Sequence, residues 1–99
     1  MFKNGMRPVH PGEVLKEDYL RPLGLSANAL ARMLKIPTPR INDVVRGQRG
    51  ITADTAMRLA RYFGGDPRSW LNLQTAYDLR LAETRNATRI EREIAPAAR

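Results

Sequence analysis

Residues 25–63, LSANALARMLKIPTPRINDVVRGQRGITADTAMRLARYF, decide the fold of this chain. Apolar residues recur in this stretch at the three- and four-residue spacing of amphipathic helices. The spacing predicts three helices, over residues 27–34, 39–46 and 53–63. Residues with good N-cap chemistry stand before them, namely Ser26, Thr38 and Thr52. Two short helices joined by a tight turn, with a third helix after a basic loop, form the pattern of a helix-turn-helix unit.

The sequence on either side of this unit predicts two more helices, so the fold class is all-α. The first is expected over residues 11–20 and ends in RPLG at residues 21–24, because proline disfavours helix at the residue before it. Asp66 and Pro67 are a start signal for the last helix, expected over residues 67–83. The helix at 53–63 is expected to bury Ala56, Met57, Leu59, Ala60 and Phe63.

The predicted domain organisation has three parts. An irregular arm occupies residues 1–10, a helix-turn-helix DNA-binding domain with a dimerising last helix occupies 11–83, and a polar tail occupies 84–99. The tail, rich in alternating charges, is either a frayed extension of the last helix or a disordered segment.

Composition indicates a folded, basic chain. Its 99 residues, 42% of them hydrophobic, suit one domain with a modest core. The formal net charge is +7, and residues 32–61 hold seven basic residues against two acidic ones. This distribution favours a polyanionic partner such as DNA, whereas a basic protein without such a partner is the plainer alternative.

The residues that the chain lacks exclude several kinds of site. It has no cysteine, which excludes disulfides and thiolate metal sites. Its one histidine, His10, is expected to cap or pack at the start of the first helix, and neither a metal, a cofactor nor an enzymatic reaction is expected. No stretch approaches the roughly 18 apolar residues of a membrane helix. The start has no apolar core for a secretion signal, so we expect a cytoplasmic protein without a membrane partner.

The second helix of the helix-turn-helix unit carries the candidate base-reading residues. Ile41, Val44 and Val45 are expected to hold it to the core. Its first turns, the part that usually enters the major groove, carry Thr38, Arg40, Asn42 and Asp43. Arginine reads guanine, asparagine reads adenine and aspartate accepts from cytosine. Asp43 is expected either to read a base or to pair with Arg46 at i,i+3.

Residues on both sides of this helix are candidate phosphate contacts. Ser26 and Asn28 lie at the start of the preceding helix, where free backbone N–H groups favour anions. Arg46, Gln48 and Arg49 follow the base-reading helix and are expected to straddle the DNA backbone. The plainer alternative is that these polar side chains only form a solvated helix face. The coincidence of turn, caps and basic loop favours double-stranded DNA.

The last predicted helix carries an apolar stripe of its own, formed by Trp70, Leu73, Tyr77 and Leu81 at three- and four-residue spacing. These residues either pack within the chain or form a homodimer interface, where aromatic anchors are typical. A dimer is expected because helix-turn-helix proteins read paired half-sites about 34 Å apart.

Three segments together indicate a particular protein family more specifically than the helix-turn-helix pattern does. They are MRPVHPGEVLKEDYL at residues 6–20, RGITADTAMRLARYFG at 49–64 and WLNLQTAYDL at 70–79. They resemble the HigA family of antitoxins, within the Xre-like, phage-repressor-type superfamily, over about residues 6–83. The resemblance implies a compact five-helix, lambda-repressor-like domain and a homodimer. It also implies an antitoxin that represses its own operon at an operator palindrome and neutralises a HigB-type toxin, an mRNA endonuclease.

The resemblance extends to individual positions. Those that match the family's recognition helix are Thr38, Pro39, Arg40, Asn42 and Asp43, with Arg46 and Arg49 at its exit. Pro39 offers a base only apolar contact, such as to a thymine methyl. The chain departs from the superfamily at Ala27, where a phosphate-binding glutamine is common, and at Lys35, where the turn often has glycine. Lys35 is expected either to adopt a left-handed conformation or to open the turn.

Two other functions remain open from the sequence. A stand-alone Xre-type repressor without a toxin would have the same DNA face and the same dimer. A toxin-binding module that does not bind DNA is the third possibility. The toxin surface is equally open, because the N-terminal arm, the first helix and the tail are each candidates.

Overall fold

The computed structural model describes residues 7–98, and within them the chain forms five helices and no strand. The bounds are residues 11–23 for α1, Ala27–Leu34 for α2, Thr38–Val45 for α3, Ala53–Phe63 for α4 and Pro67–Glu93 for α5. The predicted all-α, five-helix architecture is confirmed. In this part of the chain, no helix is both long enough and apolar enough to cross a lipid bilayer.

Helix α1 is longer than predicted and is not a regular α-helix. It consists of Pro11–Val14, a π-helical segment Leu15–Leu20 and a last turn Arg21–Leu23, before Gly24 adopts a left-handed φ of 61°. The expected end at residue 20 was therefore wrong. Hydrogen bonds from i to i+5 bring residues five apart close together on one face, and Leu15 and Leu20 are both buried. The wide turn also accommodates proline at position 22, which has no N–H to donate.

The turn between α2 and α3 has the tight geometry that the pattern predicts. Ser26 caps α2, with its Oγ accepting a hydrogen bond from the Ala29 amide at 3.0 Å. Lys35 takes the left-handed alternative, with φ 61°, and the Ile36 amide donates to the Ala31 carbonyl at 3.1 Å. The N-cap of α3 was predicted wrongly. Pro37 occupies that position, because its ring-fixed φ of −61° with ψ 139° gives the extended backbone of an N-cap, and Thr38 is the first helical residue.

The core lies where the buried faces of α1, α2, α3, α4 and the start of α5 meet. Its fully buried side chains include Leu15, Leu30, Ile41, Val44 and Leu59. Met57 was expected in this core but is 62% exposed. Helix α4 turns Thr55, Ala56, Leu59 and Ala60 inward. Met57 points to solvent because the next residue along a helix is rotated by about 100°.

Helix α5 begins as predicted and continues well past its predicted end. The Oδ1 of Asp66 accepts a hydrogen bond from the Arg68 amide at 2.9 Å, which fixes the first turn. The helix then runs without interruption to Glu93, so residues 84–93 take the helical alternative for the polar tail. Ile90 is 47% exposed on this extension. The expected domain boundary after residue 83 stays a prediction.

Candidate nucleic-acid interface

Helix α3, hereafter the recognition helix, is held to the core by one face and presents the other to solvent. Ile41 and Val44 are fully buried, and Val45 packs partly against the same core. The side chains of Pro39 and Arg46 are exposed, and those of Thr38, Arg40, Asn42 and Asp43 are partly exposed. The structure therefore brings all the predicted base-reading residues to the accessible side of one short helix.

The first turn of α2 lies beside this helix, so the predicted phosphate-binding and base-reading groups are neighbours. Ser26 and Asn28 are both exposed. The Nδ2 of Asn42 donates to the Oδ1 of Asn28 at 3.1 Å and to the carbonyl of Thr38 at 3.3 Å. This bridge sets the orientation of the Asn42 amide. It engages both N–H donors of the Nδ2 and leaves the Oδ1 acceptor for a base edge.

Arg40 is held by a network that the sequence did not predict. Its Nη1 lies 2.7 Å from the Oδ2 of Asp54, at the start of α4. The same carboxylate oxygen accepts from the Nε of Arg58 at 2.9 Å. The Nη1 of Arg58 in turn donates to the carbonyl of Leu34 at 2.9 Å, near the end of α2. The hydrogen bonds from Arg58 and then Arg40 lower the pKa of Asp54, which keeps it charged.

Asp43 pairs with a different arginine from the one expected. Its Oδ2 lies 3.5 Å from the Nη2 of Arg49, so Asp43 does not take the alternative of a pair with Arg46, and the reading of a base stays a prediction. After α3 ends, Gly47 adopts φ 76° and the chain reverses, which returns Arg49 toward the helix while Arg46 stays exposed. At 3.5 Å the Asp43 contact is weak and leaves Arg49 able to turn toward a phosphate.

The basic loop between α3 and α4 is fastened to the last helix. The Oε1 of Gln74 accepts a hydrogen bond from the Ile51 amide at 2.7 Å, and the Nε2 of Gln74 donates to Asp78 at 3.0 Å. A β-carbon on Gly50 would stand 3.1 Å from the Gln74 side chain, so the contact is close. Neither partner was predicted, because no local pattern links residues 23 positions apart.

His10 caps the first helix, as predicted. Its Nδ1 accepts a hydrogen bond from the Gly12 amide at 2.8 Å, and its ring packs edge-on against Tyr77 with 4.8 Å between ring centres. Burial lowers the pKa of His10, although Asp78 and a hydrogen bond with the Arg49 backbone oppose that shift. The neutral ring is therefore the form that the fold favours.

The predicted dimer stripe on α5 is divided between two roles. Trp70 is 4% exposed and lies against Tyr19, with 5.2 Å between ring centres, so it belongs to the core of its own chain and not to a surface. Leu73, Tyr77 and Leu81 are only half-buried. Leu73 and Tyr77 line an apolar groove along α5, together with Pro8, Val9, Ala76, Leu79, Arg80 and Glu83.

The comparisons agree with this geometry. A helix-turn-helix family model, HTH_3, matches residues 15–70. Virulence-associated protein I of Dichelobacter nodosus is 67% identical over 81 residues, which are 82% of this chain and 75% of that protein. Antitoxin HigA-1 of Vibrio cholerae is 38% identical over 86 residues, or 87% and 79% of the two chains.

A solved structure shows the same likeness in three dimensions. The antitoxin HigA of Pseudomonas aeruginosa, solved with the higBA promoter, superposes with a TM-score of 0.89 at 49% identity, covering 93% of this chain and all of that one. The helix-turn-helix geometry and these likenesses over most of the chain lead to one conclusion: this chain belongs to the HigA family of antitoxins, which are DNA-binding regulators of the Xre-type helix-turn-helix class.

Proposed function

We propose that this chain is the antitoxin of a type II toxin–antitoxin module. As a homodimer it binds an operator palindrome in the promoter of its own operon and represses transcription, and it also neutralises a HigB-type mRNA endonuclease. Its place of action is the cytoplasm, where promoter and ribosome are both accessible.

The observation that carries the DNA half of the proposal is the arrangement of α2 and the recognition helix. Asn28 and Asn42 join the two helices in a single polar surface, with Arg40 beside them. Ser26, Arg46, Gln48 and Arg49 are exposed at the two ends of that surface. In this arrangement Thr38, Pro39, Arg40, Asn42 and Asp43 face base edges, and the end groups contact phosphates. A family member solved with its promoter supports the binding of promoter DNA by this fold.

The part of the proposal that concerns the homodimer rests on the apolar groove along α5. Leu79 is 57% exposed and Val9 is 40% exposed, beside the half-buried Leu73 and Tyr77. Exposed apolar residues that cluster in one groove favour burial against another chain. A second copy seated here, with Leu81 at the edge of the contact, would pair two recognition helices for half-sites about 34 Å apart.

The part of the proposal that concerns toxin neutralisation rests on membership of the HigA family. The N-terminal arm, of which residues 1–6 lie outside the described part of the chain, α1 and the helical extension of α5 remain the candidate toxin surfaces, since DNA contact is assigned to α2 and α3. A toxin on any of them permits one dimer to hold toxin and operator together.

Fluorescence anisotropy tests the DNA half. A duplex that carries the chain's own promoter is compared with a scrambled duplex at low and physiological salt. We expect a preference for the promoter that persists at physiological salt. Equal, salt-sensitive binding to both duplexes would reject a sequence-specific repressor and favour a toxin-binding module without DNA binding.

Co-expression tests the toxin half. The product of the gene adjacent to this one is expressed alone and together with the chain, and growth and cellular mRNA are followed. We expect growth arrest with mRNA cleavage for the neighbour alone, and rescue with co-purification of the pair. A harmless neighbour that does not co-purify would make the chain a stand-alone repressor.

A further inference from the structure

Asp54 stands between two arginines and connects the recognition helix to α4. We infer that Asp54 is a positioning residue that sets the sequence specificity of DNA binding by holding the guanidinium of Arg40. The inference rests on the proposed function, because it assigns Arg40 the reading of a base.

The contacts form a continuous chain from the core to the DNA-facing surface. The Arg58 guanidinium is fixed at one end by the Leu34 carbonyl, 2.9 Å away, and at the other by the Asp54 carboxylate, also 2.9 Å away. The same Oδ2 of Asp54 also accepts a hydrogen bond from the Nη1 of Arg40 at 2.7 Å. Arg40 is therefore attached directly to α4 and, through Asp54 and Arg58, indirectly to the end of α2. Its side chain is only 28% exposed.

A guanidinium held in this way is still able to read a base. Arginine has five N–H donors, and the contact with Asp54 uses the Nη1 of Arg40. A guanine needs two parallel donors from the planar fork. An arginine whose orientation is already fixed loses less rotational freedom when it binds, and it fits wrong bases less easily than a mobile one.

The position of the carboxylate also favours specificity over affinity. Asp54 is 56% exposed beside a surface on which basic residues outnumber the other carboxylate, Asp43, so it repels phosphates of any sequence. A contact with the correct base compensates for this repulsion, whereas random DNA offers no compensation. This repulsion acts equally on promoter and random DNA and lowers the affinity for both. Asp54 raises the ratio between the two affinities only through the orientation that it gives to Arg40.

Stabilisation of α4 alone does not account for the arrangement. Thr52 already caps that helix through its Oγ, and the pair of Asp54 with Arg58 at i,i+4 would serve α4 without any third partner. The contact with Arg40 spans 14 residues and reaches another helix. It is this long-range contact that links Asp54 to the DNA surface.

The test measures the affinity ratio between the promoter duplex and the scrambled duplex for the full chain, and it uses a double-mutant cycle. Asp54→Asn is expected to lower that ratio by about tenfold, the value of one good base contact. Binding to the scrambled duplex should stay equal or rise, because a negative charge is lost. Arg40→Ala should lower the ratio to a similar extent, and the double variant should lower it no further.

Asp18→Asn is the matched control, since it removes an exposed carboxylate from α1, which is neither of the two helices of the DNA surface. Thermal unfolding confirms that each variant is folded before binding is compared. An unchanged ratio for Asp54→Asn overturns the inference, and so does an equal further loss in the Arg40→Ala background. If the unaltered chain shows no preference for its promoter, the proposed function fails and the inference fails with it.

Discussion

Gly12 lies directly against the backbone carbonyl of Val44. A β-carbon placed on Gly12 would stand 1.7 Å from that oxygen, so α1 and the recognition helix meet backbone to backbone. The same carbonyl accepts the Gly47 amide at 3.0 Å, where the chain leaves the recognition helix. Gly12, two residues after the His10 cap, therefore determines how closely the recognition helix packs against α1.

Gly12→Ala should destabilise the fold strongly, because the new methyl group can be accommodated only if one helix moves. We expect the free energy of unfolding to fall by about 3 kcal/mol, measured by urea denaturation. Gly24→Ala is the control, since Gly24 has φ +61° but no atom within 4 Å of an added β-carbon. Conformational strain alone should cost that variant about 1 kcal/mol. Equal costs for the two variants would contradict the close contact.

The stability of the chain should fall as the pH is lowered through the range of its single histidine. Burial lowers the pKa of His10, so below about pH 6.5 the unfolded chain binds a proton that the folded chain binds less readily. A protonated Nδ1 also ceases to accept the Gly12 amide. We expect the urea midpoint to decrease steadily between pH 7 and 5.5.

His10→Asn serves as the control for this pH effect, because asparagine can cap a helix and does not titrate. The decrease between pH 7 and 5.5 should disappear in that variant. Glu13 and Asp54, whose pKa values are lowered by hydrogen bonds with arginines, act at lower pH, since unfolded carboxyl groups titrate near pH 4. A decrease that persists in His10→Asn would show that another group causes it.

Loss of Gln74 should loosen the basic loop. Gln74→Ala leaves the Ile51 amide without its acceptor, and we expect unfolding to become easier by about 1–2 kcal/mol in urea. Gln74→Glu should retain only part of the stability, because its carboxylate accepts the Ile51 amide but loses the hydrogen bond to Asp78 and repels that carboxylate. Asn72→Ala, at an exposed position on the same helix, should change little. A Gln74→Ala variant as stable as Asn72→Ala would show that the amide finds another partner.

Arg49 should contribute to affinity without contributing to specificity. Arg49→Ala is expected to weaken binding to promoter and scrambled duplexes alike, and to lower the slope of log affinity against log salt by about 0.9. Arg68→Ala removes an equally basic and highly exposed side chain at the start of α5, and should leave both affinities nearly unchanged. A loss confined to the promoter duplex would instead identify Arg49 as a base-reading residue.

Local chemistry made much of this fold predictable. Ser26, Thr52 and Asp66 cap their helices as expected, because an N-cap depends on residues only two or three positions away. Periodicity likewise identified Ile41 and Val44 as the buried face of the recognition helix. The π-helical segment of α1 escaped prediction because it is stabilised by tertiary burial of Leu15 and Leu20, which no helical periodicity of 3.6 residues describes.

The candidate site was predictable as a set of exposed residues but not as a network. The spacing of Asp54 and Arg58 shows an i,i+4 pair in the sequence, yet nothing local indicates that Arg40 joins it. The contact of Gln74 with the Ile51 amide could not be predicted for the same reason, since the two residues lie far apart in the sequence. Trp70 was ambiguous because an apolar stripe has the same spacing whether it faces its own core or a second chain.

Lys35 gives the turn before the recognition helix a conformation that glycine would adopt without strain. It has φ 61°, and it is the one non-glycine residue with a positive φ among residues 7–98. The left-handed conformation costs a lysine about 1 kcal/mol, while its ammonium adds a positive charge to the turn. At position 35, lysine therefore gives the fold a lower thermal stability than glycine would. A glycine here would give a more heat-resistant antitoxin with one cation fewer beside its DNA-binding surface, which makes Lys35 a natural starting point for engineering.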